Sequence, residues 1–554
     1  MRIFAATLLG ALCLSASAQS AARFSNFEYT GSDAYYAARP LADSTEFYNP
    51  VIAGWSSDPG VVRVGNDYWL VTSTFGYFPA IPLYHSTDLA HWTLVRNILD
   101  RPSQAPYLPG QSVDKGGMYA AHINYNPANG LYYMVTTDTG HTPCHFYVTA
   151  SDPAGSWSDP VWLENIDGID PSFFFDDDGS AYIVYKEDTT GRPKWSPYRC
   201  IRFIEFDVAS GQTKGVSWPL SEPDVAPDER LDRAEGPHIY KVDGRYILVT
   251  AEGGTGDQHS ANVYGAPSLR GPWERSWRSP ILTQRNLKPK RTNPITCAGH
   301  ADLVQTPEGD WWAVFLAQRP GPGAFQHLGR ETYLMPVKWG PDGYPYITQA
   351  MDTVPLVQSR PGITAAPSAQ AGNFAWTDDF RADTIAPEWI GLRGPVASLE
   401  VKGDGILTLR CGAERASGRG IPQYIGRRLQ HHAFTASATM DFDPASPSER
   451  AGLLLFKNES AHFFLASDGA NMSLTHTSRQ GDKVLATAPI VEGATGPVEL
   501  QIASDGIKLA FRFRRSGESR WTTLADDVDA SLISCDRTGG FTGATVGFYA
   551  VDLQ

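Results

Sequence analysis

Glu235-Gly-Pro-His-Ile-Tyr-Lys-Val-Asp-Gly-Arg-Tyr-Ile-Leu-Val249 reads as a β-hairpin: an apolar strand, an Asp-Gly turn, then a strand rich in β-branched and aromatic residues. The same phrase occurs four more times. It starts at Asp58 (Asp-Pro-Gly-Val-Val-Arg-Val-Gly-Asn-Asp-Tyr-Trp-Leu-Val), at Ala121 (Ala-His-Ile-Asn-Tyr), at Asp170 (Asp-Pro-Ser-Phe-Phe-Phe) and at His300 (His-Ala-Asp-Leu-Val-Gln-Thr). Nine residues after each starting residue stands a turn residue: Asp67, Gly130, Gly179, Gly244 and Gly309. Successive starts are 63, 49, 65 and 65 residues apart, room for a four-stranded antiparallel sheet and a decorated loop. Strand repeats of that size predict a five-bladed β-propeller.

In a propeller the first strand of every blade lines the central axis, so the five starting residues converge there. Four of them, Asp58, Asp170, Glu235 and His300, are ionisable. Unpaired charges are costly in an ordinary core, so the convergence predicts a shared polar pocket. The rival reading of each carboxylate is a turn or cap, since Asp-Pro often opens turns.

Working outward, 554 residues exceed one compact core, and 92 Gly and Pro residues favour short strands and turns. The formal charge of -14 and the lack of a basic run argue against nucleic acid as a partner. Arg2, the apolar run Phe4–Leu14 and Ala16-Ser17-Ala18 read as a signal peptide over residues 1–18. Cys13 lacks the small residue expected before a lipidated cysteine, so the expectation is a secreted or periplasmic protein without a lipid or membrane anchor. Five cysteines follow the signal: Cys144, Cys200, Cys297, Cys411 and Cys535. Five is odd, and their spacing matches no zinc site. Cys411 and Cys535 share the C-terminal region and could bridge.

The stretches Asn49-Pro-Val-Ile-Ala-Gly-Trp-Ser-Ser-Asp58-Pro, Asp170-Pro-Ser-Phe-Phe-Phe-Asp and Glu235-Gly-Pro-His-Ile-Tyr-Lys resemble glycoside hydrolase family 43. Ala251-Glu-Gly-Gly-Thr, Gly299-His-Ala-Asp-Leu-Val-Gln-Thr and Leu328-Gly-Arg-Glu-Thr add to the likeness, which is nearest to the β-xylosidase and α-L-arabinofuranosidase branch. The resemblance implies an exo-acting, inverting hydrolase of xylo- or arabino-oligosaccharides, with Asp58 as general base, Glu235 as general acid and Asp170 as the third carboxylate. It implies that His300 touches a hydrated divalent cation, often calcium, although one histidine cannot hold calcium alone. It places Arg330 on sugar hydroxyls or the carboxylates, and Phe75 on the wall of the sugar site. Gly117-Met-Tyr119-Ala-Ala departs from the family's usual Trp-Ala-Pro, so Tyr119 is expected to reshape that wall and with it the sugar preference. A different terminal sugar such as galactose, a non-catalytic carbohydrate-binding propeller and a retaining sucrose-cleaving propeller are the competing readings. The last lacks its characteristic nucleophile motif around Asp58.

The propeller is expected over residues 46–355 and a Pro- and Ala-rich linker over 356–374. Short alternating strands such as Thr435–Phe442, Ala451–Phe456 and Val498–Ile502 predict a β-sandwich over 375–554. This region resembles the lectin-like, concanavalin A-like domain of the same enzymes. Relatives push an aromatic from it into the propeller pocket, and Phe541 in Gly540-Phe-Thr-Gly is the matching residue. Relatives also usually run one strand further than Gln554. Oligomeric state is not legible.

Overall fold

The computed structural model describes residues 20–104, 109–187, 200–220, 232–288, 291–349, 351–363, 370–490 and 496–554. The signal-peptide reading of residues 1–18 and the middle of the expected linker, 364–369, lie outside the described residues.

The sequence repeats become five antiparallel sheets whose strands follow one another in chain order. Their first strands are Gly60–Val64, His122–Asn126, Ile169–Phe175, Glu235–Val242 and Thr296–Gln305. Each first strand touches the next, and the fifth returns to the first, so the sheets close into a ring around an axis. Between neighbouring sheets lie apolar clusters such as Val71, Ile123, Met134 and Trp157, or Ile183, Phe173, Tyr133 and Phe206. Burial of that kind, roughly 25 cal/mol per Å² of apolar surface, favours sheets standing face to face around the ring.

The ring is fastened where the chain enters and leaves it. Glu46–Tyr48 pairs with Val357–Ser359, so the segment read as a linker opens with a paired strand. Asn49 adds two hydrogen bonds, donating from Nδ2 to the Leu334 carbonyl and accepting from the Leu334 N–H, both 2.9 Å.

The C-terminal region forms two packed sheets. One contains eight strands and the other six, ordered Tyr424–Arg428, Thr545–Asp552, Glu449–Asn458, Ala461–Ser467, Asn471–Ser478 and Gly481–Pro489. The sandwich also recruits the first described strand, Ala21–Gly31, which lies between Leu407–Arg410 and Ala433–Asp441. Its Phe24 and Phe27 pack on Phe548, and Phe27 and Phe548 pack on Trp389. The described part of the chain therefore begins in the sandwich, builds the propeller and returns. The sequence reading left this strand unassigned, although Ala22, Phe24, Phe27 and Tyr29 are all buried. An irregularity between Phe24 and Asn26 breaks the two-residue alternation that would have marked it.

The five cysteines among the described residues are free, and Cys411 and Cys535 do not bridge. Cys411 lies near the Arg450 carbonyl, whereas Cys535 donates to the Thr542 carbonyl at 3.3 Å. No helix among the described residues is long and apolar enough to cross a membrane.

Candidate active site

The axial residues reach the pocket because their strands are irregular at that point. Register breaks fall at Ile169/Ser172, Glu235/His238 and Gly299/Asp302. Asp58, Asp170 and His300 have φ of 57°, 56° and 51°, a left-handed conformation that costs a non-glycine residue about 1–3 kcal/mol. In the fourth sheet the left-handed residue is Gly236 (φ 53°), one place after Glu235. A Cβ there would also lie 2.7 Å from the His300 ring, so glycine meets both demands. These bulges turn side chains onto the axis that a regular strand would bury between blades.

Asp58 is buried within a complete set of partners. Ser73 and Ser57 hydroxyls donate to Oδ2 at 2.6 and 2.9 Å, Arg330 donates to Oδ1 at 3.2 Å, and His300 Nδ1 faces Oδ1 at 3.5 Å. Burial alone would raise its pKa. Arg330, His300 and the two serines outweigh burial and hold the carboxyl below the usual range. Asp170 is equally buried, but its pKa stands well above the ordinary value, first through burial and then through the charges of Glu235 and Asp58. Lys186 and the Gly236 N–H, which donates to Asp170 Oδ2 at 3.0 Å, only partly offset this. Glu235 is half-buried at the start of its strand.

An aromatic wall stands beside these groups. The Phe75 ring stacks on Phe541 at 5.6 Å, and Tyr119 meets both edge-on at 5.5 and 6.0 Å. The Arg330 guanidinium lies 5.8 Å from the Phe75 ring centre and 5.3 Å from that of Phe541. The Tyr119 hydroxyl is raised to about 12 by burial and then by Asp170, so it stays protonated. Phe541 arrives from the sandwich on a loop held to the propeller. Its N–H donates to the Asp114 carbonyl at 2.9 Å, and Thr542 bridges to Gly329. The Asp114 carboxylate accepts from Lys457 at 3.1 Å and Asn458 at 2.9 Å, forming a buried ion pair between the domains. A Cβ on Gly540 (φ 84°) would collide with that carboxylate. Sequence reading singled out Phe541 but missed Asp114, Lys457, Ser57, Ser73 and Lys186, which stand outside the repeated strand starts.

His300 is buried, and burial lowers its pKa against the pull of Asp58. Its Nδ1 lies 3.5 Å from Asp58 Oδ1, and its ring centre lies 6.2 Å from that of His238. One layer away, His122, His238 and Asp302 bring possible ligand atoms within 4.8 Å of one another. Both ring nitrogens of His238 and Nδ1 of His122 lack hydrogen-bond partners. The channel thus holds a possible His/Asp metal-binding group that excludes His300. Its two imidazoles suit a nitrogen-preferring ion better than calcium. Sequence reading missed it because its members sit one to three places past the strand starts.

A buried anionic carboxylate, a raised carboxyl beside a second acid, and an aromatic wall form a pocket able to move protons at a polar, ring-shaped substrate. The model of glycosyl hydrolases family 43 matches residues 47–345, and that of the β-xylosidase C-terminal concanavalin A-like domain matches 377–554. A protein named non-reducing end alpha-L-arabinofuranosidase from Bacteroides ovatus is 36% identical over 533 residues, covering 92% of each chain. A xylosidase/arabinosidase from Butyrivibrio fibrisolvens is 32% identical, covering 91% of this chain and 95% of its own. Among solved structures, a family 43 protein of subfamily 12 retrieved from a capybara gut metagenome superposes with a TM-score of 0.87. It is 34% identical and covers 96% of this chain and 99% of its own.

Proposed function

The chain belongs to glycosyl hydrolases family 43, and on that premise we propose that it removes terminal xylose or arabinofuranose from plant polysaccharide fragments with inversion. It is an exo-acting glycoside hydrolase; the sugar, the stereochemistry and the residue roles are the proposal. The observation that carries it is the contrast in charge between Asp58 and Asp170 in one buried pocket.

Asp58, held anionic, is the general base that takes a proton from the attacking water. The proton shared by Asp170 and Glu235 serves the leaving oxygen, and Glu235 is the group that delivers it. Glu235 is half-exposed to the pocket, whereas Asp170 is buried and tied by Oδ2 to the Gly236 N–H. General acid or base help of this kind contributes typically ~10²–10⁴-fold, and inversion requires a water between the base and the sugar. Arg330 orients Asp58 and offers its remaining N–H groups to sugar hydroxyls. Phe75, Tyr119 and Phe541 pack on the C–H face of the ring, and the wall they form favours chain ends over internal bonds.

The names of the relatives, an arabinofuranosidase and a xylosidase/arabinosidase, support the pentose assignment, and the Tyr119 departure bears on the choice between the two pentoses. A hydrated divalent ion at His300 would draw most of its ligands from water, and no step of the reaction is routed through an ion. His122, His238 and Asp302 are a second place in the channel where a divalent ion could bind. The reading of residues 1–18 as a signal places the mature enzyme outside the cytoplasm, which N-terminal sequencing of the exported protein checks. The activity itself is tested with nitrophenyl β-xyloside and nitrophenyl α-arabinofuranoside, following the first-formed anomer by proton NMR. Release of the inverted anomer is expected. No release from either compound, or the retained anomer, would overturn the reading.

A further inference from the structure

Two consecutive arginines where the domains meet are buried with their hydrogen bonding incomplete. Arg427 and Arg428 end the sandwich strand Tyr424–Arg428 and are 2% and 7% exposed. The Arg427 guanidinium lies 4.5 Å from the Tyr29 ring centre and 4.4 Å from that of Trp376, and the Arg428 guanidinium lies 4.1 Å from that of Trp55. Rings cover the faces of a guanidinium, but its N–H groups point outward in its own plane and need acceptors. Arg427 Nη2 donates to Gln430 Oε1. Nε and Nη1 of Arg427, and Nε and Nη2 of Arg428, meet no acceptor among the described residues.

Counter-charge is equally short. The groups that act on Arg427 are Tyr29 and Glu388, and those that act on Arg428 are Tyr84, Tyr77 and Glu388. Burial raises all three tyrosine hydroxyls, so they stay neutral. Glu388 is the one carboxyl of the set, and burial pushes its pKa up despite both guanidiniums. Burial also lowers the pKa of both arginines, Arg427 to about 10, yet a guanidinium keeps its proton at neutral pH. Two buried cations thus face at most one anion, an arrangement that is costly unless a counter-ion completes it.

Both guanidiniums line one cavity of about 20 Å³, together with Ala53 and Tyr84 from the propeller and Glu388 and Gln430 from the sandwich. That volume suits one water-sized particle, for which roughly 10–15 Å³ suffices. It is too small for phosphate, sulfate or an organic acid, and a monatomic halide is the anion that fits. A water would accept from two of the four N–H nitrogens and supply no charge, whereas a halide accepts from every side and supplies the missing one.

We infer that Arg427 and Arg428 hold a halide ion, chloride in ordinary salt, that fastens the sandwich to the propeller. This site lies outside the reaction and stands apart from the glycosidase reading. It nevertheless adjoins the catalytic wall. Trp55, against which Arg428 stacks, stands three residues before Asp58 and belongs to the apolar cluster that holds Phe75 and Phe541.

The test combines anomalous diffraction from crystals of the full chain soaked in sodium bromide with thermal unfolding in chloride, bromide and gluconate at equal ionic strength. An anomalous peak between the two guanidiniums is expected. So is a saturable rise of several degrees in the unfolding midpoint with chloride or bromide, absent with gluconate, which is too large to enter. Arg428→Met keeps an apolar stem against Trp55 and removes one uncompensated cation. It should be at least as stable as wild type in gluconate and should lose the halide response. Bromide at surface positions only, equal stabilisation by gluconate, or an unchanged halide response in Arg428→Met would each overturn the site. The bromide soak uses the wild-type chain, so it decides the matter even where the variant folds poorly.

Discussion

The first and third sheets of the propeller present the same residue in the same way: Asp58 and Asp170 both open Asp-Pro, both stand at φ near 57°, and both are 7% exposed. Their protonation is nevertheless opposite. Asp58 faces Arg330, His300 and two serine hydroxyls, whereas Asp170 faces Glu235 and the charge of Asp58 itself. Fold symmetry supplies equivalent positions, and the neighbours that each position meets, some inside the repeat and some outside it, decide what it does. Arg330 and Ser73 come from other strands and loops of the ring, and Ser57 from the approach to the first strand.

The comparison breaks most visibly at Asp58. Asp58→Ala should lower kcat/KM by at least ~10²–10⁴ on every substrate, because the water loses its base whatever the leaving group. Comparable residual activity in Asp58→Ala and wild type, measured on purified folded protein, would remove it from the reaction. Glu235→Gln should be nearly as damaging on natural oligosaccharides, but far milder on a dinitrophenyl glycoside, whose leaving group needs little protonation. An equal loss on both substrates would take the acid role from Glu235.

Arg330→Met sharpens the contrast without removing a carboxylate. Loss of the guanidinium lets burial dominate at Asp58, so its pKa rises and the acidic limb of kcat/KM moves to higher pH. Sugar contacts to Arg330 are lost as well, so KM should rise at the optimum. A higher KM with an unmoved acidic limb would limit Arg330 to sugar binding. The smallest effect is expected at the wall. Phe541→Ala removes one half-buried ring from a three-ring contact, worth about 1 kcal/mol of binding, or roughly a fivefold rise in KM. Thermal unfolding should stay near that of wild type, because Phe541 only packs against the edge of its cluster.

How far the sequence could be read follows the same division. The propeller strands were legible because a hairpin phrase recurs at nearly constant spacing, and the axial carboxylates were legible because they start that phrase. Phe75, Tyr119, Arg330 and Phe541 lie outside the phrase and were reached through family resemblance, and the structure sets Phe75 and Phe541 beside the Arg330 guanidinium with Tyr119 against both rings. What escaped depends on contacts between distant segments. The strand Ala21–Gly31 finds its sandwich partners some 400 residues later, and Lys457 meets Asp114 across the domain boundary. Neither pairing leaves a local pattern. The suggested Cys411–Cys535 bridge failed for the same reason, since sharing a domain says nothing of where two thiols point.

The central claim, that Asp58 is anionic while Asp170 and Glu235 share a proton, is tested most directly by the pH profile of kcat/KM in wild type and Asp170→Asn. This parameter reports ionisations of the free enzyme. Asp58 is depressed and Asp170 raised, so wild type should be active from below the ordinary carboxylate range to well above it. Replacing Asp170 by a neutral amide removes the shared proton's second site, so the basic limb should fall to lower pH while the acidic limb stays within a few tenths of a unit. An acidic limb that moves with Asp170→Asn, or a basic limb that does not, would contradict the account.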